Sequence, residues 1–155
     1  MPRVESSVIV AVDGATAFAV SQTQGAIRYR WDPFVSEQRL LQNAAAPGIG
    51  VRTLTTSRHR LKMVSEYVSF RPPTQVGMKM IEGPWFFAAM GGGWSFHAVP
   101  EGTRVVWRYT FSIRPRWLAP IGDRIGVWFL QRDIDRRLAG FARGCSDPVV
   151  LAAVS

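Results

Sequence analysis

The segment TRVVWRYTFSIR, Thr103–Arg114, alternates with a period of two, and the segment after it does not. Val105, Trp107, Tyr109, Phe111 and Ile113 fall on one side of an extended chain; Arg104, Val106, Arg108, Thr110, Ser112 and Arg114 fall on the other. Pro115 ends the strand. From Leu118 to Gly144 the period changes. Val127, Leu130, Ile134, Leu138, Phe141 and Cys145 recur at spacings of three and four, the stripe of one helix face. That stripe has to be buried, and the only broad apolar surface on offer is one face of a sheet, the aromatic side of the last strand. Asp133 and Arg137 read as an i, i+4 pair with the acid first, the favourable order. Ile121, Ile125, Trp128 and Phe129 lie off the stripe. The first half of the helix therefore needs cover on more than one side, from sheet plus a loop, a ligand or a partner subunit.

Working backward, the preceding segments are strand after strand, joined by tight turns. Phe86–Val99 ends at Pro100-Glu101-Gly102, Thr74–Glu82 at Gly83-Pro84, and His59–Phe70 at Arg71-Pro72-Pro73. Gly50–Thr56 and about Phe34–Gln42 precede them, separated by Ala46-Pro47-Gly48. Everything from Phe34 to Arg114 reads as an antiparallel meander. Trp94, Phe96 and Ala98 share the helix-facing side with Val76, Met78 and Met80; Ser95 and His97 share the other. In the His59 strand, Lys62 and Glu66 outward put Leu61, Met63, Ser65, Tyr67 and Ser69 inward, although Val64, Val68 and Phe70 argue the reverse phase. Glu37 and Arg39 outward put Ser36 and Gln38 inward. Gly91-Gly92-Gly93 inside a strand marks a bend or bulge and a sheet that wraps. It is not a phosphate loop, because a strand follows where a helix would be needed.

At the N-terminal end, Val4, Val8 and Val10 belong to a β-branched strand that stops at Asp13-Gly14. Asp13 is placed to cap a short helix near Ala15–Gln22. A second short helix near Gln24–Arg30 stops at Trp31-Asp32-Pro33, where proline disfavours helical geometry at the residue before it. The order is strand, two short helices, six strands, long helix.

Composition narrows the function. The chain has 155 residues, 47% hydrophobic and 19% charged, enough for one folded domain and too apolar for disorder. No apolar run reaches the ~18–20 residues of a spanning helix, and no secretory signal fits the N-terminus, so the cytoplasm is the expected location. Cys145 is the only cysteine, and His59 and His97 are far apart in sequence. No disulfide, zinc motif or other metal site is expected, and no cofactor. The formal charge of +8 comes largely from arginines spread along the whole chain. That spread argues against nucleic acid, which calls for basic residues clustered on one element. Arg114 and Arg116, next to Trp117, offer a contact for a membrane surface or an acidic protein.

The order of elements, with Asp13 before the short helix, Trp31-Asp32-Pro33, Gly83-Pro84-Trp85, Trp94-Ser95-Phe96, Gly102-Thr103-Arg104-Val105 and Arg136-Arg137-Leu138, resembles the START-like (helix-grip, SRPBCC) superfamily. Within it, the polyketide cyclase/dehydrase and lipid-transport group is most similar, over nearly all of residues 1–155. The resemblance implies an α+β helix-grip fold: a curved antiparallel sheet of about seven strands wrapped round a long C-terminal helix, with two short helices after strand one. It also implies a deep apolar cavity between sheet and helix, in one ligand-binding domain. It does not imply one function.

An empty pocket of ~300 Å3 would cost roughly 7 kcal/mol, comparable with the whole stability of a domain. A chain that tolerates such a void gains when an apolar guest fills it. Trp94, Phe96, Trp107, Tyr109 and Phe111 supply flat faces and Met63, Met78 and Met80 adaptable walls. Trp31, Phe34, Tyr67, Leu130 and Ile134 complete the expected ligand-binding set. The first reading is a carrier or holder of a hydrophobic small molecule or lipid. The alternative is a polyketide cyclase/dehydratase-type enzyme, which needs a positioned acid or base. For that role Tyr67, Tyr109, His97 and Glu82 are the candidates. His97 falls on the outer face by alternation, and Cys145 packs.

Overall fold

A computed structural model describes residues 1–155. β1 (Arg3–Val10) leads into α1 (Gly14–Ser21) and α2 (Gly25–Trp31). The meander follows as β2 (Val35–Leu40), β3 (Arg52–Ser57), β4 (Lys62–Arg71), β5 (Gln75–Glu82), β6 (Phe87–Val99) and β7 (Gly102–Ile113). A 3-10 turn at Arg116–Leu118 precedes α3 (Ala119–Gly144), and α4 (Pro148–Val154) follows it. The strands form one antiparallel sheet in the order β1-β7-β6-β5-β4-β3-β2, curled into a half-barrel. α3 lies in its concavity against β1 and β7, while α1 and α2 close the end next to it. This is the helix-grip α+β architecture. No helix is long and apolar enough to cross a membrane.

Local chemistry sets the helix ends. The Asp13 carboxylate accepts from the Thr16 amide at 2.8 Å and caps α1. Asp147 does the same for α4 through the Val149 amide, with Pro148 at the first helical position. α4 was not among the elements read from the sequence: seven residues carry too little period to stand out. Val150 seals it, fully buried, and its N-cap Asp147 is tied to Arg30.

The stripe on α3 is buried where it was expected, with Ile134, Leu138, Phe141 and Cys145 in the core. The Asp133–Arg137 pair is a correction. Arg137 is buried and its ion-pair partner is Asp32, 105 positions away. The close fit of α3 depends on Gly140. A Cβ there would collide with the Trp31 carbonyl oxygen, so α2 ends against bare helix backbone.

The strand phases hold, with three corrections. The ladder between β6 and β7 runs unbroken through Gly91–Gly93, and the bulge lies at Phe87–Ala89. What the glycines provide is approach: a Cβ at Gly92 would lie 2.7 Å from the Arg108 carbonyl oxygen, and one at Gly93 2.6 Å from that of Val76. In β4 a register shift between Tyr67 and Ser69 reverses the alternation. Met63, Ser65 and Tyr67 face in before it. Beyond it Phe70 faces in, edge-on to Phe18 and Tyr67, and Val68 faces out. A second shift between Val35 and Glu37 turns Ser36 out while Gln38 stays in.

Candidate functional site

The curl of the sheet leaves a cavity of about 480 Å3 between its concave face and α3. Four surfaces form the wall. β6 and β7 give the flat bottom: Trp94 and Trp107 stack with ring centroids 3.9 Å apart, beside the bare backbone of Gly91–Gly93 and the ring of Tyr109. β4 and β5 give a flexible side of Met63, Tyr67, Met78 and Met80. α3 gives the roof through Gly122, Ile125, Gly126, Phe129, Leu130, Asp133 and Arg137. The two glycines let it ride low, since a Cβ at Gly126 would meet the Phe111 ring at 2.7 Å. Phe34, Arg28, Ser21, Gln22 and Gln38 close the inner end.

Nine of the thirteen residues expected to touch a ligand therefore line the cavity: Phe34, Met63, Tyr67, Met78, Met80, Trp94, Trp107, Tyr109 and Leu130. Trp31, Phe96, Phe111 and Ile134 stand behind the wall. Trp31 is packed edge-on between Trp94 and Phe141, Phe96 lies against Phe18, Phe111 against Phe87, and Ile134 is fully buried. Alternation gives the correct side of the strand but not the depth, and these four are core by depth. Of the acid/base candidates, Tyr67 and Tyr109 face the cavity, whereas His97 is exposed on the convex face and Glu82 at the end of β5.

Burial pushes the Tyr67 hydroxyl up to about 12 and Tyr109 higher still, so both are phenols at neutral pH. The Tyr67 hydroxyl donates to Gln22 Oε1 at 2.9 Å, and the Tyr109 oxygen accepts from Arg137 Nη1. Cys145 is buried outside the cavity lining, and burial alone pushes its thiol up to about 12. No group of three or more His, Cys, Asp or Glu side chains comes together as a metal site.

The sequence reading missed the charged inner end. Asp32, fully buried, accepts from Arg28 Nε at 2.9 Å and from Arg137 Nη2 at 2.8 Å and Nε at 3.1 Å. Burial raises its carboxyl, but the two guanidinium charges and the Phe34 amide outweigh burial and hold it at about 2. The Arg137 guanidinium sits over two aromatic rings, 4.3 Å from the Trp107 centroid and 4.7 Å from that of Phe34. Burial also raises the Asp133 carboxyl, against the pull of Arg137. One signal was present. Arg137 falls three after Ile134 and four before Phe141, on the apolar stripe itself, where an arginine needs an internal partner.

The mouth of the cavity lies among Leu61, Lys62, Pro84, Phe86, Ile125 and Phe129. The segments that carry it, and the turn before α3, expose large apolar side chains. Trp117 is 78% exposed, Trp85 72%, and Ile121, Ile125, Trp128 and Phe129 are all more than half exposed.

Residues 1–145 match the profile of the family described as "Polyketide cyclase / dehydrase and lipid transport". No curated protein matches the chain in sequence. Solved structures share the fold. TTHA0849 from Thermus thermophilus superimposes with a TM-score of 0.76 at 18% identity, covering 99% of this chain and 100% of that one. A START superfamily protein from Mycobacterium smegmatis gives 0.71 at 13% identity, covering 92% and 98%. The di-domain ARO/CYC StfQ from the steffimycin biosynthetic pathway gives 0.68 at 19%, covering 98% of this chain and 49% of that one.

Proposed function

The chain belongs to the polyketide cyclase/dehydrase and lipid transport family, and on that premise we propose that it holds or carries a hydrophobic small molecule or lipid in the cavity under α3. The observation that carries this reading is the cavity itself, about 480 Å3 with a largely apolar wall rich in rings and methionines. Rings offer a flat guest stacking area, and methionines adjust to its outline. Native mass spectrometry of protein purified from its own source, followed by extraction, tests it. A co-purifying apolar molecule supports a holder. Protein that comes out empty and takes up no apolar compound sinks the reading.

The cyclase/dehydratase reading rests on one observation, a carboxyl inside the cavity. Asp133 lines it with its pKa raised, next to the Arg137 guanidinium, which is the pairing of a base with an oxyanion partner that enolate chemistry asks for. Turnover of poly-β-ketone analogues, abolished by Asp133→Asn and cut by Tyr109→Phe, would favour it over the holder.

The mouth supports a loading surface. Exposed Trp117 follows the exposed cations Arg114 and Arg116 in the turn before α3, and exposed Trp128 shares α3 with the exposed cations Arg124 and Arg132. Indoles with a rim of cations suit an anionic lipid headgroup layer, where each Lys or Arg is worth about 1 kcal/mol. Co-sedimentation with vesicles should rise as phosphatidylglycerol replaces phosphatidylcholine, and Arg114→Glu with Arg116→Glu should reverse the rise. Binding that ignores lipid charge would reject this surface.

A further inference from the structure

The inner end of the cavity holds a cation with unmet bonding capacity. Arg28 is 4% exposed and lines the cavity. Its Nε donates to Asp32 and its Nη1 to the Ser21 carbonyl oxygen at 2.7 Å, while Nη2 donates to no protein atom. Asp32 cannot balance it alone. That carboxylate is shared, with three of its contacts going to Arg137 and one to Arg28. Two buried guanidinium groups thus share a single anion. The Tyr67 phenol, the Trp31 ring and Ser21 surround Arg28 without adding negative charge. Asp133, the other carboxyl in the cavity, lies within electrostatic reach of Arg137 and Asp32, but Arg28 makes its hydrogen bonds to Asp32 and Ser21 and none to Asp133.

A second polar group nearby is also unmet. Gln38 is 7% exposed, lines the same end of the cavity, and its Oε1 has no partner. Its amide nitrogen reaches only Thr55 Oγ1, at 3.3 Å. Gln38 Oε1 is closed off from a guest, whereas Arg28 Nη2 stays accessible, a charged donor that a guest can answer. The Arg28 donor calls for an anionic or strongly polarised oxygen, and the walls leading to it are largely apolar.

The geometry points to an amphipathic guest, a flat or aliphatic body ending in a carboxylate or enolate oxygen, which enters with that oxygen first and seats it on Arg28 Nη2 at the inner end. The inference rests on the cavity being a binding site, and it adds an orientation and a chemical class. Asp32 acts as a positioning residue: it aims both guanidinium groups and keeps their charge tolerable before the guest arrives. The seat discriminates against neutral guests of the same shape, because they offer the Arg28 Nη2 donor no anionic acceptor.

Two fluorescent probes of matched body test it, 1-pyrenebutyrate and 1-pyrenebutanol, titrated into the full-length protein at neutral pH. The acid should bind about tenfold more tightly or better, as a charge-assisted bond replaces a neutral one. In Arg28→Gln the ratio of the two affinities should fall toward one. The wild-type ratio decides the matter even where that variant fails to fold. Equal affinities of the two probes overturn the anion seat and leave the apolar cavity reading standing. Failure of both probes to bind overturns the cavity reading and the seat with it.

Discussion

Asp32 has no exposed surface and accepts from two guanidinium groups, so its proton equilibrium is tied to folding. Its carboxyl sits at about 2 in the folded chain against an ordinary 3.8. A depressed pKa gives stability that is complete above the ordinary value and disappears as pH falls through the folded one. Unfolding by urea should therefore lose about 2 kcal/mol between pH 4 and 2 from this group. Asp32→Asn should lower stability at pH 7 by about 3–5 kcal/mol, because two buried cations lose their counterion. It should also flatten the acid limb; an unchanged acid limb would mean that other carboxyls govern it. Asp133 has the opposite sign. Its carboxyl is raised, so its charged form is disfavoured by folding, and Asp133→Asn should raise the melting temperature at pH 7.

At the scale of elements, α3 is held where its backbone touches its neighbours. Gly140→Ala replaces an ordinarily unfavourable helix glycine with the best helix former, a change that on an exposed face gains up to about 1 kcal/mol. Here the added Cβ would run into the Trp31 carbonyl oxygen. Thermal denaturation should show a loss of about 1–3 kcal/mol instead. The same elements show what could be read from the sequence. β7 and α3 were legible because their periods are long and uninterrupted, and the sides of β5 and β6 followed from alternation. Where a bulge interrupts, at Tyr67–Ser69 and Val35–Glu37, alternation carries the wrong phase onward. Phe70 already argued for the reverse phase and does face in; Val64 and Val68 argued for it too, but Val68 faces out. The charged cluster was hidden for a different reason. An acid and an arginine four apart on a helix describe a solvated pair equally well, and only the fold brings Asp32 to Arg137. Depth was hidden too, which is why Trp31, Phe96, Phe111 and Ile134 fall behind the cavity wall while Phe34 and Leu130 reach it.

For the molecule as a whole, an unfilled cavity means stability in reserve. A guest at one hundred times its dissociation constant adds about 2.7 kcal/mol, which for a chain of this size is roughly 5–10 °C in melting temperature. A probe that binds should produce that shift by scanning fluorimetry. Met78→Trp, which builds an indole into the cavity from β5, should remove most of the shift without lowering the melting temperature of the unliganded protein. A full shift in that variant would place the guest elsewhere.

The glycine run in β6 has a consequence for how this binding site can be altered. Where Gly91, Gly92 and Gly93 form the floor, a guest rests on peptide planes, and there is no side chain to trade. A methyl group at Gly92 or Gly93 would drive into a neighbouring strand's carbonyl oxygen, so the floor is closed to variation by the same contact that lets the sheet curl. Retuning for a different guest has to come from the movable sides, the methionines of β4 and β5 and the underside of α3. The floor acts as a fixed datum against which those sides can be recut.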